Sequence, residues 1–168
     1  MKQKKSKKIA KKRIGIADTM FAKGDMGKLA IKTVRESKEA GDIEISRVTV
    51  PGIKDLPVAA KKLIEEKNCE IVLAFGMVGK VEIDEVCGHE ASLSLMQAEL
   101  LTNTHILKVF VHEREALGNA EKLVSIMRDR TIKHTKNAIE MIFSPKSLSK
   151  RAGTGQRQGS GNDVYYKL

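Results

Sequence analysis

Four short apolar runs each open into a turn dense with Gly, Pro and polar residues. Ile14–Ala17 leads into Asp18-Thr19-Met20-Phe21-Ala22, and Ile43–Val50 into Pro51-Gly52-Ile53-Lys54-Asp55. Ile71–Phe75 leads into Gly76-Met77-Val78-Gly79-Lys80-Val81-Glu82, and Ile106–Val111 into His112-Glu113-Arg114-Glu115. Every turn is followed by helical spacing. A β-α unit repeated four times predicts right-handed crossovers, a parallel sheet and an α/β fold. All four turns then fall on one rim, at the carboxyl ends of the strands, where open α/β sheets bind ligands.

The spacing predicts strands over Arg13–Ala17, Ile43–Val50, Ile71–Phe75 and Ile106–Val111. The third is apolar throughout, as a strand covered on both faces should be. Helices are predicted over Asp25–Ala40 with Gly41 as the stop, from Asp55 with Pro57 in its first turn, over Asp84–Leu101, and from Asn119 to Phe143 before Pro145. The third helix carries Ala91, Leu93, Leu95, Met96, Ala98, Leu100 and Leu101, which is more apolar surface than one sheet can cover. A second subunit is the expected cover, and four strands make a small sheet for this class. Arg151–Gly161 is Gly-rich and basic, so no helix is expected there.

A chain of 168 residues is one domain with room for a real core. The formal net charge of +10 invites a nucleic-acid reading, but its distribution argues against one. Eight of the 31 basic residues lie at or before Arg13, leaving 23 basic against 21 acidic residues from Ile14 onward, a net of +2. Residues 1–12 are therefore expected to be a disordered basic arm ahead of a single domain over 13–168. Trp is absent and aromatics are 4% of the chain, so no stacking platform for RNA is evident. No apolar run reaches the ~20 residues of a membrane span, and no secretory signal is present, so a cytoplasmic protein is expected. Cys69 and Cys87 form no C-x-x-C pair and read as small hydrophobes.

The common motifs fail on inspection. Gly76-Met77-Val78-Gly79-Lys80 has two residues between its glycines, where a phosphate loop needs four, and Val81 follows the lysine. His89-Glu90 lacks the second histidine of a zinc protease, since position 93 is Leu, and no set of residues shows metal spacing. Two residues stand out instead. Phe21 places a ring in a turn on the functional rim, where stacking on a planar ligand would offset its exposure. His112 ends the fourth strand on the same rim beside Glu113.

Taken together, Asp18-Thr19-Met20-Phe21-Ala22, Val50-Pro51-Gly52-Ile53-Lys54-Asp55-Leu56-Pro57, Cys87-Gly88-His89-Glu90-Ala91-Ser92-Leu93 and Val109-Phe110-Val111-His112-Glu113 resemble the archaeal-type riboflavin synthases. The resemblance runs from about Arg13 to Gly159. It implies a lumazine synthase-like fold, a three-layer α/β/α sandwich on a four-stranded parallel sheet, assembled as a homopentamer with sites between neighbours. It implies dismutation of two molecules of 6,7-dimethyl-8-ribityllumazine to riboflavin and 5-amino-6-ribitylamino-2,4-pyrimidinedione. No organic cofactor is implied; any Mg²⁺ would be weakly or indirectly bound.

The binding set implied is Asp18, Thr19, Phe21, Ala22, Pro51, Gly52, Ile53, Lys54, Asp55, Gly76, Met77, Gly79, Lys80 and His89. Glu82, His112 and Glu113 are the implied proton-transfer groups. Lumazine synthases carry a histidine in the turn after the third strand, where this chain has Glu82. That departure favours riboflavin synthase over two alternatives: lumazine synthase itself, or a lumazine- or flavin-binding protein without turnover.

Overall fold

The computed structural model describes residues 10–156. Its four strands are β1 (Lys12–Thr19), β2 (Ile43–Val50), β3 (Ile71–Val78) and β4 (Ile106–His112), all parallel, in the order β2-β1-β3-β4. The helices are α1 (Met26–Arg35), α2 (Leu56–Glu65), α3 (Glu82–Thr102), α4 (Ala120–Phe143) and α5 (Pro145–Arg151). Short 3₁₀ turns occupy Ala40–Asp42, Ile53–Asp55 and Glu113–Ala116. This is the four-stranded parallel α/β/α sandwich that the sequence predicts.

The period-2 alternation of the central strands sorts their side chains to two faces. Ile14, Ile16, Leu73, Phe75, Val109 and Val111 join α1 and α4 in one core. Ala17, Val72, Ala74 and Ile106 join α2 and α3 in the other, with Leu56, Leu63 and Leu95. Both central strands are buried along nearly their whole length, as their continuous apolar runs require.

Several element boundaries differ from expectation; α3 runs over Glu82–Thr102 rather than Asp84–Leu101, and β1 and β4 continue to Thr19 and His112. β1 begins at Lys12, because pairing extends to Lys12↔Ile43 and Lys12 Nζ meets Glu70 at 2.7 Å. The expected disordered arm therefore stops short of Lys12, and its residues 1–9 lie outside the described residues. β3 continues through Gly76-Met77-Val78, because β4 pairs with it as far as Val78↔His112. α1 ends at Arg35 rather than Ala40; the Ser37 hydroxyl donates to the Val34 carbonyl at 2.7 Å and closes the last turn. α5 was not foreseen. Pro145 starts it, and Arg151 grips Glu140 of α4 through both guanidinium nitrogens. That grip holds the Glu140 carboxyl at about 2, well below the usual range. The expected absence of helix holds for residues 152–156, and the rest of that tail lies outside the described residues.

Candidate active site

Thr19 and Val50 end β1 and β2 in register, whereas β1 pairs with β3 only as far as Asp18↔Phe75, so β3 and β4 run on together past that level to Val78↔His112. Neighbouring strands lie ~4.8 Å apart, so the rim is ~14 Å wide. All four turns predicted to bind ligand open on it.

The β1–α1 loop is fastened at both ends by Arg47, which projects from the edge strand β2. One guanidinium nitrogen donates to Asp18 Oδ2 at the end of β1 and to Asp25 Oδ1 at 2.7 Å. Asp25 also caps α1, accepting from the Lys28 backbone N–H at 2.7 Å. The Thr49 hydroxyl donates to Asp18 Oδ1 at 2.6 Å. Both oxygens of the buried Asp18 carboxylate are thus taken by protein. Gly27 makes the close approach possible, since a Cβ there would collide with Asp18 and lie 2.9 Å from Arg47 Nε. The hydrogen bond to Asp18 raises the Arg47 pKa still further.

Between these fastenings the loop lifts Met20 and Phe21 into the open, 74% and 72% exposed. Their backbone N–H groups bond the carbonyls of Val50 and Pro51 at 2.8 and 3.4 Å, so the ring stands on two neighbouring strand ends. Thr19 is buried and donates its hydroxyl to the Phe21 carbonyl at 3.2 Å. Ala22 is half-buried over the core. A cleft of about 330 Å³ lies behind the loop, lined by Thr19, Lys23, Arg47 and Thr49 among others. A larger, open groove of about 710 Å³ runs between α1 and α4, and it contains none of the residues predicted for the site.

The second turn is tied by Asp55, whose carboxylate accepts the Gly52 backbone N–H at 3.0 Å. Pro51 and Lys54 are exposed, and Lys54 pairs with Glu90 of α3 at 2.6 Å, a bond that raises its pKa. Ile53 folds inward over Gly76, where any Cβ would come within 2.8 Å of its Cδ1. Met77 is buried, and its sulfur accepts the Lys23 backbone N–H at 3.2 Å. Gly79 is covered by Asp84, while Lys80, Glu82 and His89 are exposed, and their side chains make no hydrogen bond among the described residues. His89 lies two turns along α3, between Gly88, which packs on Val78 at the end of β3, and Glu90, which pairs with Lys54.

At the far end of the rim, His112 Nδ1 lies 2.8 Å from Glu85 Oε2. Glu113 pairs with Lys23 at 2.6 Å, which ties the first turn to the fourth. Glu115 accepts the His112 backbone N–H at 2.9 Å and is gripped by Arg130 of α4 at 2.6 and 2.8 Å. Arg130 also donates to the Phe110 carbonyl at 2.6 Å. Its guanidinium holds the Glu115 carboxyl at about 2.

Arg47, Glu85, Glu115 and Arg130 escaped the sequence reading. Arg47 stands in an alternating strand where a charge reads as solvated surface. Glu85 and Glu115 lie in acidic runs with nothing to single them out. Among the described residues, no group of three or more His, Cys, Asp or Glu side chains converges as metal ligands. Asp18 and Glu113 have protein cations as partners, Arg47 and Lys23.

The chain matches the family model for 6,7-dimethyl-8-ribityllumazine synthase over residues 11–146. It is 54% identical to the riboflavin synthase of Methanothermobacter marburgensis, over 88% of this chain and 94% of that protein. It is 46% identical to that of Archaeoglobus fulgidus, with the same coverage. The 6,7-dimethyl-8-ribityllumazine synthase of Methanobrevibacter smithii is 30% identical over 55% of this chain. The chain therefore belongs to the 6,7-dimethyl-8-ribityllumazine synthase family, and within it groups with the archaeal riboflavin synthases.

Proposed function

We propose that this protein is a riboflavin synthase, a transferase that moves a four-carbon unit between two molecules of 6,7-dimethyl-8-ribityllumazine. The products are riboflavin and 5-amino-6-ribitylamino-2,4-pyrimidinedione. The reading is carried by the near-full-length identity of 43–54% to proteins named riboflavin synthase. The similarity to named lumazine synthases is lower and shorter.

The geometry supports the reading. Two flat heterocycles must be held face to face, a positioning task worth up to ~7–11 kcal/mol in ideal cases. Phe21 on its fastened loop supplies a rigid wall. Thr19, Gly52, Ile53 and Asp55 stand where ring edges and ribityl hydroxyls would be anchored. Acid–base help adds ~10²–10⁴ in rate, and His112 is the group best placed to give it. Donor and acceptor are the same compound, so no organic cofactor is needed, and no step is assigned to Mg²⁺.

A cleft of about 330 Å³ is at the low end for one ligand of this size. The second lumazine needs a wall from another chain. On α3, Ile83, Val86, Leu93, Met96, Leu100 and Leu101 are all exposed, the last two at 84% and 74%. An apolar surface of that extent suits burial between subunits, and we assign a homopentamer with sites between neighbours. Among the described residues no helix is long and apolar enough to cross a membrane. The free thiols Cys69 and Cys87 suit a reducing compartment, so the assigned location is the cytoplasm.

The deciding experiment supplies purified protein with 6,7-dimethyl-8-ribityllumazine alone. Riboflavin should appear with an equal amount of the pyrimidinedione. Product formed only from the pyrimidinedione plus a four-carbon phosphate would make it a lumazine synthase. Tight binding with neither product would make it a carrier.

A further inference from the structure

Glu85 is a rim carboxylate that ties the start of α3 to His112 and to Arg114 in the turn after β4. It lies in the first turn of α3, and its side chain is only 19% exposed. Oε2 is 2.8 Å from His112 Nδ1. Oε1 is buried and accepts no hydrogen bond. Arg114 Nε comes within 3.0 Å of it, but off the line of the N–H. Arg114 thus compensates the charge of the carboxylate, whose one hydrogen bond is the one to the imidazole.

A carboxylate only accepts hydrogen bonds. Nδ1 must therefore carry the proton, and in the neutral ring Nε2 is left with the lone pair. Among the described residues, no hydrogen bond is recorded at Nε2, and the His112 side chain is 29% exposed at the rim. We infer that Glu85 is a positioning residue: it holds His112 as the Nδ1–H tautomer and keeps Nε2 free to take a proton from substrate. This rests on the proposed riboflavin synthase reaction. There the C–H bond of the donor's C7 methyl breaks, its electron pair stays on the carbon and spreads into the ring, and the proton goes to Nε2.

The surrounding charges agree with that role. The Glu85 carboxylate faces the imidazolium that forms, across Nδ1. Arg114 stands on the far side of Glu85, and Glu115 touches only the His112 backbone while Arg130 balances its charge. The other two acids proposed for proton transfer are placed differently. Glu113 is neutralised by Lys23, and Glu82 is exposed at the start of α3.

The test reads the ring directly by ¹⁵N NMR of the imidazole nitrogens in the full-length protein, with His112→Gln identifying the signals. The neutral wild-type ring should be the Nδ1–H tautomer. Glu85→Ala should shift it toward Nε2–H and lower kcat more than tenfold, with KM changed less than threefold. Glu85→Gln keeps a carbonyl acceptor for Nδ1–H and should restore the tautomer and most of kcat, which a merely structural role would not require. A wild-type ring in the Nε2–H form overturns the inference even if Glu85→Ala does not fold. So does a Glu85→Ala protein that keeps both tautomer and kcat. Full turnover in His112→Gln would refute the proton-accepting role. Absence of riboflavin with wild-type protein would refute the synthase reading alone, since the tautomer measurement judges Glu85 without turnover.

Discussion

Arg47 grips Asp18 at the β1–β2 end of the rim, and Arg130 grips Glu115 at the β4 end. At the first end, Asp18 is filled on both oxygens and Asp25 is drawn in as well. Neither oxygen of Asp18 is left to handle a proton. At the second end, the arginine takes Glu115 and leaves the adjacent imidazole to Glu85. One end of the rim is a rigid mount for an aromatic ring, and the other presents an uncommitted nitrogen. The lesson is that an acid on the functional rim is not thereby a functional acid. Its partners decide.

The harshest way to break this contrast is to remove the grip at the first end. Arg47→Met keeps much of the stem and deletes the charge, leaving the carboxylate of Asp18, 7% exposed, with Thr49 alone. Stranding a buried charge costs about 3–5 kcal/mol. Chemical denaturation should show a loss of that order, and adding Asp18→Asn to Arg47→Met should recover much of it. A loss under about 1 kcal/mol would mean that Arg47 is ordinary surface and that Asp18 is free for ligand after all.

What the sequence made legible follows from what periodicity encodes. The four strands and their order of helices were plain, because runs such as Ile71–Phe75 must be buried on both faces. The rim turns were plain for the same reason, and Phe21 stands exposed where expected. Pairing across strands was not legible. Only the register Asp18↔Thr49, set by the fold, brings Arg47 within reach of both Asp18 and Asp25. Asp18 therefore read as a ligand anchor, although its oxygens face protein donors. Glu85 was hidden similarly, 27 residues from His112 in sequence. One usable signal existed: Glu85 lies one turn beyond Glu82, on the same side of α3.

A milder perturbation tests the Arg130 grip by pH. The Arg130 hydrogen bonds hold the Glu115 carboxyl at about 2, against 4.5 for a free glutamate. The folded value is the lower one. The stabilisation is thus complete above pH 4.5 and is lost as pH falls from there through about 2. The side chain is 32% exposed, so after discounting for solvent screening the contribution is about 2 kcal/mol. Glu115→Gln should be less stable than wild type by that amount at neutral pH, and the gap should close across the same window. A gap that persists below it would assign the contribution to packing rather than to charge.

The smallest effect tests the mount itself. Phe21 is 72% exposed in the single chain, so Phe21→Ala removes little buried area there. Stability within a subunit should change by no more than about 0.5 kcal/mol. Losing one stacked ring from a ligand wall should cost about 0.5–1.5 kcal/mol of binding, a two- to tenfold rise in KM, with slower turnover. His112→Gln should act in the opposite pattern, lowering kcat with KM nearly unchanged, because it removes a proton acceptor and not a surface. Steady-state kinetics on the two variants, with assembly followed by sedimentation, therefore separates the two ends of the rim. If Phe21→Ala instead dissolves the assembly while sparing KM, the ring packs against a neighbouring subunit. The first turn would then be an interface, and the wall for the lumazine pair would have to come from elsewhere on the rim.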